Sequence, residues 1–102
     1  MSKPCYEEYV NHAMRFYARN PVLNMKAPGL SKIDIQNWNT CDETLRTFTE
    51  QEQNIVLNVY RSKCTMSEAI REITSQLRTG EDGIWQLMNK FSRTFAKKRG
   101  LI

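Results

Sequence analysis

The chain has 102 residues, of which 40% are hydrophobic and 25% charged. That length and balance describe one small domain with a core of its own and exclude a disordered tail or a two-domain protein. Four Phe, four Tyr and two Trp against only four Gly and three Pro argue for a packed globule over a linker or low-complexity segment. The longest aliphatic run, Ile55-Val56-Leu57, is far short of the roughly 20 residues a spanning helix needs. The opening residues, Met1 to Glu8, include no apolar stretch of the secretory kind, so the expectation is a cytoplasmic protein with no membrane role.

Apolar residues recur at helical spacing throughout, and no stretch alternates with period two, so the expectation is an all-α protein of five helices. The first follows Pro4, suited to an opening turn. It carries Tyr6, Tyr9, Val10, Ala13, Phe16 and Tyr17 on one stripe and ends near Asn20-Pro21. Pro21, Pro28 and Gly29 mark residues 20 to 30 as a connecting loop. Ser31, with Asp34 three residues on, opens a second helix whose face is Ile35, Trp38, Cys41, Leu45 and Phe48.

Thr49 and Glu52 form a capping box that starts a third helix running to about Ser62. Met66, Ala69, Ile70, Ile73 and Leu77 keep amphipathic spacing in a fourth. Arg78-Thr79-Gly80 breaks it. Thr79 is the expected cap of a long last helix with Ile84, Leu87, Met88, Phe91 and Phe95 inside, ending before Gly100.

Cys5, Cys41 and Cys64 lie far apart, with His12 the one histidine. They lack the ligand spacing of a metal site. The expectation is reduced thiols packed as small hydrophobes, with no metal and no cofactor. No nucleophile, base or acid constellation is evident around His12, so no enzymatic activity is expected.

Residues 48 to 99 resemble the helix-turn-helix of bacterial sigma-70 region 4 and the small sigma-like regulators of phages and mobile elements. The likeness runs through Phe48-Thr49-Glu50 to Val59-Tyr60, similar to the family's opening helix, and then through Ile70 to Asn89. There Ile73, Leu77, Ile84 and Leu87 stand where two helices lock together, with small Thr74 at their crossing. Departures fall at the turn, where Arg78 occupies the family's usual Gly, and at Gln51 and Gln53, where the family favours Arg. The first 47 residues do not look like the core-promoter-binding region of a full sigma factor. The expectation is a single domain, residues 1–102, in which the aromatic stripe of an N-terminal helical pair (1–47) packs on the resembling tri-helical helix-turn-helix (48–102) or on a second copy of it.

The resemblance implies duplex DNA as the partner and transcription regulation as the role. RNA polymerase is a second candidate partner, and a homodimer is left open. Charge agrees with DNA. Residues 1–48 hold six Lys/Arg and five Asp/Glu, whereas residues 49–102 hold nine and six, with no acid after Asp82. At about 100° per residue, Gln86, Lys90, Arg93 and Lys97 share one stripe opposite the apolar one. On a recognition helix, Gln86 and Asn89 would read base edges, while Lys90, Arg93, Lys97 and Lys98 would hold phosphates. Trp85 is expected in the core, and Glu81 and Asp82 are assigned to the helix dipole. The alternative is a helical protein-interaction module, for example on RNA polymerase, that does not itself bind DNA.

Overall fold

A computed structural model describes residues 6–20, 22–23, 26 and 29–102. The expectations for Pro4, Cys5, Pro21 and Pro28 lie outside these residues. Five helices follow in order: α1 (Glu7–Arg19), α2 (Lys32–Arg46), α3 (Glu50–Arg61), α4 (Met66–Leu77) and α5 (Glu81–Arg99). The protein is all-α, as the periodicity predicts, and no helix among the described residues is long and apolar enough to cross a membrane.

Local chemistry sets most of the boundaries. The Asp34 N–H donates to Ser31 Oγ at 3.1 Å, and the Ser31 N–H donates back to Asp34 Oδ2 at 3.2 Å. Thr49 and Glu52 make the same reciprocal pair at 3.1 and 3.0 Å. Each box satisfies two donors that the helix ladder leaves open. Thr65 caps α4 by accepting from the Glu68 N–H. At the end of α4, Arg78 adopts the left-handed conformation with φ 53°, a place that glycine usually fills.

Thr79 does not cap α5. The N-cap is Gly80, in extended conformation and with no side-chain bond, and Glu81 and Asp82 supply negative charge to the first turn. One residue's shift has a simple cause: with Arg78 left-handed, Thr79 is still inside the turn, its N–H donating to Thr74 O at 3.3 Å. Gly100 closes α5 with φ 75°.

α5 touches all four other helices and forms the axis of the molecule; α1 packs on α2 and α3, and α4 on α3. Phe91 and Phe95 at its centre are fully buried, together with Met14 and Val10 of α1, Val56 of α3 and Ile70 of α4. Phe48, between α2 and α3, packs its ring against Phe91 at 5.7 Å between centroids. The radius of gyration, 13.7 Å, is close to the ~13 Å of a packed chain of this length.

Three predicted core assignments need correction. The stripe α1 buries is Val10, Ala13 and Met14, while Tyr9 is exposed and Tyr6, Phe16 and Tyr17 are only half-buried. The aromatics serve instead as a collar: the Tyr17 ring packs at a tilt against Trp38 with 5.0 Å between centroids, and the Trp38 indole N–H donates to Asn20 O at 2.7 Å. Rings with a polar tip gain from staying at the rim, where that tip finds a partner. Leu77, the last residue of α4, is 47% exposed and is followed by residues 78–83, which are exposed as well. Where α4 meets α5 the buried residues are Ala69, Ile70 and Ile73 on one helix and Ile84 and Met88 on the other, with Leu87 only partly buried against them. Cys41 is buried as expected, but Cys64 is exposed, since it lies in the turn beyond α3 and not on an apolar stripe.

Candidate nucleic-acid interface

The face of α5 opposite its core stripe stays open along its whole length. Gln86, Asn89, Lys90, Arg93, Lys97 and Lys98 are all exposed. On a helix turning about 100° per residue, Gln86, Lys90, Arg93 and Lys97 fall within an arc of about 60°, with Asn89 roughly 40° beyond one edge. Lys98 lies roughly 80° beyond the other edge and does not join the row. From Gln86 to Lys97 the row extends about 16 Å at 1.5 Å per residue, enough to follow a major groove about 12 Å wide across its span.

Two of the cations near this face are held in place. The Lys90 ammonium sits 5.4 Å from the centroid of the Phe48 ring, a cation–π distance that orders its four-carbon stem. It also faces Glu52, whose carboxyl is held below the usual carboxylate range chiefly by the Thr49 N–H and, more weakly, by Lys90 itself. The α3 cap and the α5 face therefore meet at Lys90. Phe48 reads in the sequence as one more core residue, and its second role appears only once α5 lies beside it. Arg99, by contrast, turns inward, its Nε donating to Asn37 Oδ1 at 2.7 Å, which takes it out of the basic segment offered to solvent.

The row carries a charge gradient. It follows the helix: the first turn of α5 holds Glu81 and Asp82, the neutral amides Gln86 and Asn89 come next, and the last turns are cationic. Trp85 packs on the core as expected and donates its indole N–H to Glu81 Oε1 at 3.3 Å, which ties that carboxylate to the helix's own side. Among the described residues the ion pairs comprise Arg46–Asp42 alone, so Lys90, Arg93 and Lys97 have no carboxylate bound within salt-bridge distance. A rigid helix with amides first and unneutralised cations after can place donors on base edges and charge on phosphates.

No family model, no curated protein and no solved structure matches this chain.

Proposed function

We propose that this chain is a cytoplasmic DNA-binding protein, a small helix-turn-helix regulator of transcription of the bacterial or phage type, that reads duplex DNA with α5. The observation that carries the reading is the row Gln86, Lys90, Arg93 and Lys97: exposed, with no described carboxylate within salt-bridge distance, and held on the axial helix opposite its core face. Three further features support it. α4 and α5 are joined by three residues and packed through Ile70, Ile73 and Ile84, the sequence of α3 to α5 resembles sigma-70 region 4, and acids are absent beyond Asp82. In this reading Gln86 and Asn89 face bases, and Lys90, Arg93 and Lys97 face the backbone.

The test is a titration of labelled duplex at several salt concentrations. Wild-type affinity should fall steeply with salt as phosphate counterions are released. Arg93→Ala and Lys97→Ala should each weaken binding to all sequences and flatten the log–log salt slope by about 0.9 per lost contact. Gln86→Ala should change base preference at one position, by about 1–3 kcal/mol if its amide pairs with a base. Unchanged affinity and slope in both cation variants would remove α5 from the interface. Failure of every duplex to bind would transfer the chain to the class of protein-interaction modules.

A further inference from the structure

A second basic feature lies away from α5 and is created by the fold alone. The last turns of α1 and α3 come together around a groove of about 530 Å³ lined by Arg15, Arg19, Arg61 and Lys63, with Ser62 and the buried Tyr60 among its walls. All four cations are exposed, and none has an ion pair with a described residue. Among the described residues, no carboxylate lines the groove. Glu7, which acts on Tyr60, lies two helical turns before Arg15, and Glu72 lines the adjoining cleft on the far side of Arg61 and Ser62. Arg15 and Arg19 come from the half of the sequence whose charge is nearly balanced, so the groove leaves no trace in the charge pattern along the chain.

Helix C-termini attract cations, but the magnitudes do not match. Two helix ends bring about half a negative charge each, one in total against four cations, leaving roughly +3 around one concavity. Like charges crowded in this way destabilise the empty groove and favour an anion that spreads its own charge over several oxygens. Arginine forks take phosphate oxygens two at a time. Each phosphoryl group carries about 1.5–2 negative charges at neutral pH, so two of them balance the site. The shape selects further, because a duplex meets protruding ridges such as the α5 face, whereas a recess of this volume lies in the range of small-molecule sites.

We infer that the groove between the ends of α1 and α3 binds a small anion bearing two or more phosphoryl groups, held by Arg15, Arg19, Arg61 and Lys63. The site stands on its own charge and shape and does not depend on α5 binding DNA. Sodium pyrophosphate is the probe, titrated calorimetrically into the full chain at physiological salt, with sulfate at matched ionic strength as control. Saturable binding is expected to pyrophosphate and not to sulfate. Arg15→Gln and Arg61→Gln, which keep helix propensity at exposed positions, should each weaken it about ten-fold or more, while Arg93→Gln and Lys97→Gln leave it unchanged.

No saturable binding up to about 1 mM, or equal loss in the α5 variants, would overturn the inference. So would a parallel duplex titration in which Arg15→Gln and Arg61→Gln lower DNA affinity as much as pyrophosphate affinity, since the groove would then be holding nucleic-acid backbone. Pyrophosphate binding with the expected pattern and no duplex binding at all would uphold the groove and remove the reading of α5. Unaltered far-UV circular dichroism of the four variants ensures that folding does not decide the result.

Discussion

Arg78 holds a backbone conformation that its own side chain disfavours. At φ 53° and ψ 40°, a residue with a Cβ is strained by about 1–2 kcal/mol relative to right-handed geometry. Glycine at this position would relieve the strain and lose part of the gain through its greater freedom in the unfolded chain. Arg78→Gly is expected to raise stability by about 0.5 kcal/mol, or a few degrees in Tm. A thermal melt of the variant decides, and a lower Tm would mean that the guanidinium has stabilising contacts. Single residues also mark where the sequence could not be read. Thr44 is fully buried, its hydroxyl satisfied by Thr40 O at 2.6 Å. A hydrophobic count places such a residue on the surface, because the bond that permits its burial loops back onto its own helix.

The helices themselves were legible wherever one element carries all the information. The capping boxes at Ser31 and Thr49 act within four residues, and the apolar spacing of α5 names its buried face directly. What one element does not contain is how it is covered, and at the seams between helices periodicity names the side chain but not its polar partner. At the α1–α2 seam the Tyr17 hydroxyl donates to Asp42 Oδ1 at 2.9 Å, and burial, then this bond, pushes its pKa from 10.0 to about 12. Burial next to Asp42 likewise pushes the Cys41 thiol from 9.0 to about 12. Tyr60, buried against α1 with its hydroxyl donating to Asn11 Oδ1 at 2.7 Å, is raised well above its ordinary value, mainly by burial.

These groups are neutral when protonated, and folding raises their pKa. The folded state therefore keeps protons in alkali that the unfolded chain has lost. Their contribution is complete below the ordinary pKa and disappears as pH rises through the folded one. Tm should hold steady to about pH 9 and then fall toward pH 12, with Cys41→Ala moving the start of the fall to about pH 10, where the tyrosines take over. Melts across that range check it, and a flat profile would mean that these hydroxyls and this thiol reach water in the folded state.

At the scale of the molecule, α5 ties the two halves of the chain. Asn37 of α2 accepts from Arg99 of α5 at 2.7 Å and from Tyr9 of α1 at 3.1 Å, so the last turn of the final helix is bonded to the first two. Partners 62 residues apart lie beyond any reading by spacing, as do Lys90 with Phe48 and the four cations at the ends of α1 and α3. The α5 row was visible in the sequence because it belongs to one helix. The setting of its lysine and the second basic site needed three dimensions. A fragment of residues 48–102 would expose the faces of α3 and α5 that α1 and α2 cover, including those around Phe91 and Phe95. It should show weak helicity and no cooperative melt, whereas the whole chain unfolds in one transition, coincident by near-UV and far-UV signals. A cooperative melt in the fragment would make the first two helices an accessory.

The axial position of α5 also bears on how the chain matures. Translation delivers α1 through α4 first, at about 5–20 residues per second. Of these, α2 emerges with an apolar face whose largest partner, α5, has not yet been made, and α1, α3 and α4 each lack the part of their cover that α5 supplies. The nascent polypeptide can pair α1 with α2 and α3 with α4, but the closing of the core must wait until α5 has followed them out of the ribosome. For those seconds the protein is a client for whatever in the cell shields exposed apolar helices.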